Sequence, residues 1–234
     1  MTFAAIIPAM QGLGAYEADR ASALSGVPES TLYLWARERL ITPSASPEKI
    51  KLWAWADLVA ARAVYWLRHP QEGDRRKPTP MATVRALLAH LDAESVTLGD
   101  ALADSEVRLF VDRQGMPHVD VDSIVTEGRH RFVQSEHRAF VIDLLSEFRG
   151  EAGAIGPDLR APSKLTRIRP GVLGGEPHIA GTRIETRVIG ALRQRGFTEG
   201  QIVEMYPGVT RLGVHSAIAL ERRLASNARR LAAA

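Results

Sequence analysis

The side chains able to do chemistry in this chain are few in kind. There is no cysteine, which excludes disulfides, thiolate zinc sites and cysteine nucleophiles. The seven histidines are His69, His90, His118, His130, His137, His178 and His215. No two of them stand four apart, the spacing that puts paired metal ligands on one helix face. The nearest approach to a metal cluster is His118 with Asp120 and Asp122. Strand alternation would place all three on one face, and an exposed polar face is the reading that accounts for them best. Asp120 and Asp122 are also the nearest thing to an acid–base pair, but nothing else in the sequence converges on them. No Gly-x-Ser-x-Gly elbow occurs. No catalytic residue, metal or cofactor is therefore expected, and the chain is not expected to be an enzyme.

What remains is the chemistry of arginine and hydroxyl groups toward phosphates, base edges and carboxylates. Only Lys49, Lys51, Lys77 and Lys164 are lysine among 30 basic residues. A guanidinium pairs bidentately with phosphate or carboxylate in a way an ammonium cannot. The net charge of +3 is too small to argue for nucleic acid by itself. Its distribution says more: residues 1–77 carry +2, residues 78–160 carry −6, and residues 161–234 carry +7. An acidic middle between two basic ends suggests three regions with different partners. Solvated charged faces are the plainer reading of the same runs.

The elements that must position these groups can be read coarsely. Residues 16–25 form a short helix stopped by Gly26. Pro28 suits the first turn of a second helix running to about Arg39. Residues 55–68 form a third, with a broad apolar face that includes Val59, Ala63, Trp66 and Leu67. The middle holds a helix near 80–92. A hairpin follows: Val107, Leu109 and Val111 alternate, Arg113 to Met116 turn, and Val119 and Val121 alternate again. A helix over about 138–148 closes this region. Glycines and prolines mark two linkers, a charged loop at His69 to Pro80 and a second at Gly150 to Pro162. Beyond them, Ile168 and His178 to Ile184 read as short strands around a glycine-rich turn. Helices follow at about 186–195, 199–205 and 211–229, the middle one opened by a Thr198/Gln201 capping box. The small, basic stretch from Ala225 to Ala234 reads as a fraying helix end.

The first two helices and the Ser25-Gly26-Val27-Pro28 turn have a helix-turn-helix outline. Ala21, Leu24, Val27, Leu32 and Trp35 fill its core. Ser30, Thr31, Tyr33, Arg37 and Arg39 are then left to reach phosphate oxygens or base edges. Ser44 to Lys51 reads as a wing, with Lys49 and Lys51 as point charges for the DNA backbone and Trp53 and Trp55 as its anchors. The stretch Tyr16 to Leu67 resembles the winged helix-turn-helix of the MerR family. The shared landmarks are Gly26-Val27, Thr31-Leu32, Tyr33, Trp35, Leu40 with Pro43, and Asp57-Leu58. Where family members carry Arg-Tyr-Tyr, this chain has Tyr33-Leu34-Trp35.

The most distinctive string is Gly174-Gly175-Glu176-Pro177-His178-Ile179-Ala180-Gly181-Thr182-Arg183-Ile184. It is neither a phosphate-binding loop nor a dinucleotide fingerprint. Gly174, Gly175, Pro177, Gly181 and Thr182 build two tight turns around a short strand. With Gly196-Phe197-Thr198 and Tyr206 to Thr210, the string resembles a small bacterial domain of formally unknown function found in VapB-type antitoxins. The whole arrangement resembles a longer VapB-type antitoxin of a type II toxin–antitoxin system. That resemblance implies a homodimer that binds its own operator DNA as an autorepressor and neutralises a PIN-type ribonuclease toxin. The runner-up is a stand-alone MerR-like regulator without a toxin partner. Arg183, Arg187, Arg211, His215, Arg222 and Arg223 form a second basic set, for DNA or for an acidic toxin surface.

The expected architecture is mainly α with small β elements. It comprises a winged helix-turn-helix (1–77), a small α+β middle region (78–160) and a three-helix, helix-turn-helix-like C-terminal domain (161–234). At 45% hydrophobic and 24% charged, the composition excludes collagen, a disordered chain and a coiled-coil rod. No apolar run approaches the roughly 20 residues of a membrane helix. Met1 to Met10 lack the basic start of a signal peptide, so a cytoplasmic protein without a membrane partner is expected.

Overall fold

A computed structural model describes residues 14–70, 75–93, 108–120, 140–149 and 155–233. The chain is mainly α-helical with small antiparallel β elements. Helix α1 spans Ala18–Ser25 and α2 spans Glu29–Arg37. Between them Gly26 adopts φ 76° and donates its N–H to the Ser22 carbonyl at 2.9 Å, the left-handed stop that the glycine allows. Helix α3, Trp55–Arg68, runs through the interior and is buried on nearly every side. Asp57, in its first turn, accepts from the N–H groups of Ala54 and Ser44 at 2.7 Å each, fixing the entry to the helix. Helix α4 spans Met81–Ala93.

A three-stranded sheet follows, built from β1 (Arg108–Val111), β2 (Pro117–Asp120) and β3 (Phe140–Ile142) in the order β2-β1-β3. The hairpin matches the alternation read from the sequence, with Leu109 opposite Val119. Val107, Val121, Asp122, His130 and His137 lie outside the described residues, as do Met1 to Met10, Gly150 and Gly153.

The helix expected over 138–148 is corrected. Phe140–Ile142 pairs with β1, Asp143 organises a turn, and β4 (Phe148–Arg149) pairs with β5 (Ile155–Gly156). The Asp143 carboxylate accepts from the Leu145 N–H at 3.1 Å, the Ser146 hydroxyl at 2.7 Å and Arg160 at 2.7 Å. Burial opposes its charge, but these bonds prevail and hold its pKa down at about 2. A Phe-Val-Ile run suits a strand once a partner is available, and that partner, β1, lies some 30 residues upstream.

The two expected linkers are tied down where they are described. Arg76 is buried over the Trp66 ring, 3.7 Å from its centroid, and donates to the Trp66 and Leu67 carbonyls. The Lys77 N–H bonds the Arg113 carbonyl at 3.1 Å, which docks the β1–β2 turn on this segment.

In the C-terminal part, β6 (Thr166–Arg167) and β7 (His178–Ile179) form a hairpin across the glycine-rich turn. Helices α5 (Thr186–Gln194), α6 (Glu199–Met205) and α7 (Arg211–Ala232) follow. The capping box forms: the Gln201 N–H donates to the Thr198 hydroxyl at 3.3 Å, and the Gln201 carbonyl oxygen accepts from the Thr198 N–H at 2.9 Å. The tail expected to fray instead continues α7. Asn227 accepts from the Ile155 N–H at 2.9 Å and donates to the Ala23 carbonyl at 3.4 Å, and Leu231 is buried.

Two hydrophobic clusters result. The smaller contains Ile179, Ile189, Ile202, Val214 and Ile218 and lies within the C-terminal part. The larger gathers α1 to α4, the hairpin and the 144–148 turn, and also takes in Leu220 and Leu224 of α7. Arg62 crosses this larger cluster at 1% exposure. It donates to five carbonyls: Leu24 (2.7 Å), Ser25 (3.2 Å), Leu144 (3.0 Å), Ser146 (3.1 Å) and Pro157 (2.7 Å). Burial lowers its pKa to about 9 against the pull of Asp158, Asp143 and Glu147. Arg62→Met keeps the aliphatic stem but leaves those carbonyls without a donor. It is expected to lower the unfolding free energy by about 3–5 kcal/mol, measured by urea denaturation. A loss below about 1 kcal/mol would mean that water replaces the guanidinium.

Candidate nucleic-acid interface

The helix-turn-helix core forms as its sequence implies: Ala21, Leu24, Val27, Leu32 and Trp35 are all buried. Burying Leu32 and Trp35 turns the opposite face of α2 outward. Ser30, Tyr33, Leu34 and Arg37 are exposed along it, and Thr31 is half-buried. Arg39 lies just past the helix at φ 54°, with its side chain exposed. The left-handed residue lets the chain reverse, so that the Leu40 N–H reaches back to the Trp35 carbonyl at 2.9 Å.

The stretch read as a wing closes through isolated bridges. Ser46 and Leu52 exchange backbone hydrogen bonds at 3.0 and 2.9 Å, and Trp53 pairs with Tyr16 at its base. Trp53 and Trp55 are buried as anchors. Lys49 is exposed near the tip beside Ile50, which is 70% exposed.

The expected DNA-facing residues thus divide. Ser30, Arg37, Arg39 and Lys49 are exposed and make no side-chain hydrogen bond or ion pair among the described residues. Lys51 instead closes the wing, its ammonium donating to the Pro47 carbonyl at 2.9 Å. Tyr33 stands edge-on to Trp53 with ring centroids 5.6 Å apart, bracing α2 against the wing. Glu38 pairs with Arg85 at 2.6 Å, which removes one acidic neighbour from the Arg37–Arg39 stretch.

The second basic set is largely engaged locally. Arg211 and His215 both approach Glu199, at 3.6 and 3.0 Å, and the His215 hydrogen bond heads the causes that lower the Glu199 pKa. Arg187 stands 3.9 Å from Glu176, and Arg223 donates to the Pro162 carbonyl. Arg183 and Arg222 are exposed and make no ion pair among the described residues.

The glycine-rich string does something its sequence does not announce. Gly174, Gly175 and Gly181 have φ of 60°, 81° and 79°. A Cβ on Gly175 would lie 2.1 Å from the Tyr16 hydroxyl and 3.6 Å from the Trp55 ring. The first turn therefore docks on the base of the wing. Pro177 is buried behind it, and the Thr182 hydroxyl donates to the Ile179 carbonyl at 2.9 Å in the second turn.

Beside this contact lies a buried ion cluster that charge counting missed. Arg20 of α1, at 9% exposure, donates to Glu176 at 2.8 and 3.0 Å and to Glu221 of α7 at 3.0 and 3.1 Å. The Thr186 hydroxyl donates to Glu221 at 2.5 Å. Burial works against the Arg20 charge, but Glu221 and Glu176 outweigh it and raise the pKa. The buried Tyr16 hydroxyl is raised too, first by burial and then by Glu176. A signal was available: Arg20 is one helical turn before the buried Leu24, and Arg62 one turn after the buried Leu58. An arginine in a core register calls for a partner.

Among the described residues no group of His, Asp and Glu is placed to hold a metal ion. The cluster suggested by His118, Asp120 and Asp122 is not placed, because Asp122 lies outside the described residues. No described helix is long and apolar enough to cross a membrane. Residues 167–220 match a family described as proteins of unknown function (DUF433). No curated protein matches the chain, and no solved structure does. The matched span begins inside β6, takes in β7 and the smaller core, and ends one residue before Glu221.

Arg20→Ala leaves two carboxylates buried without their cation and is expected to cost about 3–5 kcal/mol. In a double-mutant cycle with Glu221→Gln, a coupling of at least roughly 1 kcal/mol is expected from thermal or urea unfolding. Additive losses would show that the pair does not act as a unit.

Proposed function

We propose that this chain binds operator DNA through α2 and the wing, and acts as an antitoxin that represses its own synthesis. One observation carries the DNA reading. Arg20, Arg62, Arg68, Arg76 and Arg85 are all held by protein oxygens. Arg37 and Arg39, on and just past the outward helix, are exposed and unpaired among the described residues. A helix-turn-helix presents its second helix to the major groove while backbone contacts fix its orientation. Ser30 and Arg37 serve as groove-facing groups, with Arg39 and Lys49 on flanking phosphates. The protein acts as a homodimer, so that two such helices meet half-sites about one DNA turn apart. It needs no cofactor and performs no catalysis.

The antitoxin half of the proposal rests on the resemblance of the Gly174–Ile184 string and its following helices to VapB-type antitoxins. The partner is a PIN-type ribonuclease. One observation favours the runner-up, a regulator without a toxin partner: Arg187, Arg211, His215 and Arg223 already have local acceptors.

The test uses the full chain and a duplex from its own upstream region, titrated between 50 and 200 mM salt. Binding should weaken steeply as salt rises. Arg37→Ala is expected to cost roughly 5- to 150-fold in affinity and to relax sequence preference. Lys49→Ala should reduce the salt slope by about 1 with preference unchanged. Unchanged binding in Arg37→Ala with Arg39→Ala rejects the α2 assignment. Mixing with the adjacent gene's product should give a stable complex in which RNA cleavage stops. Continued cleavage leaves the regulator without a toxin.

A further inference from the structure

We propose that the DNA interface has a second contributor nearly 200 residues away in sequence: Arg229 and Arg230, in the last turns of α7, contact phosphates beside the site read by α2. The inference rests on the DNA-binding role of α2 and adds residues that the sequence places in a different domain.

Glu221 lies against Arg20, in the first turn of α1, and Asn227 lies against Ala23, near its end. The two helices therefore run in the same sense. Helix α1 stops at Ser25 and the chain turns through Gly26 to Pro28. Helix α7 continues to Ala232 and touches α2 as well. At about 1.5 Å per residue, Arg229 and Arg230 lie 3 to 5 Å along the axis beyond Asn227. That direction leads toward the end of α1, whose turn feeds the N-terminus of α2. In a helix-turn-helix this is the end of the second helix that meets base edges, while the first helix crosses the backbone.

The end of α7 is also held firmly enough to position a charge. Leu224, Asn227 and Leu231 are buried along one face, and Ala228 packs on the larger core. Arg229 and Arg230 are exposed, and neither has an acceptor among the described residues. Arg222 is two turns before Arg229 on the same face and is equally exposed. Phosphate oxygens are the chemistry such a pair suits: two guanidinium groups held on a rigid end, toward the N-terminal end of a helix whose exposed face runs from Ser30 to Arg37.

Basic residues in a last turn also complement the helix dipole. That role would affect stability alone and would leave the ionic-strength dependence of DNA binding untouched. The two roles are therefore separable.

The experiment compares the full-length protein with Arg229→Gln/Arg230→Gln, using a duplex of its upstream region and a random duplex of equal length. Thermal unfolding of the variant should match that of the parent. The slope of log K against log salt should fall by about 1.8, two released counterions. Affinity should fall by the same factor on both duplexes. Arg193→Gln/Arg195→Gln removes the same charge from the exposed end of α5 and should leave the slope unchanged. An unchanged slope in the Arg229/Arg230 variant, or an equal fall in the α5 variant, overturns the proposal. If the parent protein binds neither duplex at 50 mM salt, the α2 reading fails and this one with it. If the parent binds and only this variant is indifferent, the α2 reading stands alone.

Discussion

Much of this structure depends on one guanidinium that is largely withdrawn from water. Arg20 lies between Glu176 of the glycine-rich turn and Glu221 of α7, and all three are largely removed from solvent. One cation between two carboxylates leaves a surplus negative charge. The Thr186 hydroxyl donates to one of them, and Arg187 approaches the other from the rim. Taking ions out of water costs several kcal/mol apiece unless their geometry is satisfied. The cluster therefore acts as a demand on position: the helix-turn-helix and the glycine-rich turn have to meet at one distance and one angle. Gly175 sets the same condition sterically, since any side chain there would occupy the space of the Tyr16 hydroxyl.

Arg62 meets the same problem in another way. It has no carboxylate in direct contact and relies on backbone carbonyls from three segments. Those carbonyls belong to the end of α1, the 144–146 turn and the strand exit at Pro157, each of which would otherwise present an unsatisfied acceptor to the core. Phe148 covers the guanidinium, its ring centroid 5.0 Å away. The 144–146 turn and Pro157 are thus fastened to the end of α1 by a side chain of α3.

What the sequence made legible was local. Gly26 stops a helix because it tolerates positive φ, and the Thr198/Gln201 box starts one because both bonds close within four residues. Helix α3 is bounded by Trp55 and Arg68 as its pattern implies. What stayed hidden was nonlocal. Phe140 to Ile142 becomes a strand through its pairing with β1. Ala225 to Ala232 stays helical because Asn227 finds acceptors and donors in α1 and β5. In the site, exposure of Ser30 and Arg37 follows from the register of Leu32 and Trp35, whereas the fixing of Lys51 by Pro47 depends on loop geometry that spacing does not reveal. Charge bookkeeping by region assigned Arg20 to one basic end and Glu176 and Glu221 to the other, when the three form one buried cluster.

The reach of α7 back to α1 also sets an order of events during synthesis. Arg20 bonds Glu221 across 201 residues, and Ala23 bonds Asn227 across 204. At roughly 5–20 residues per second, α1 waits on the order of 10–40 s after emerging before its final neighbours exist. Closing so long a loop costs entropy that only the assembled contacts offset. The first of the described helices is therefore among the last to be completed, and a nascent or prematurely ended chain lacks the side chains that seal it. Full assembly of the N-terminal module is in effect a report that translation has passed residue 227.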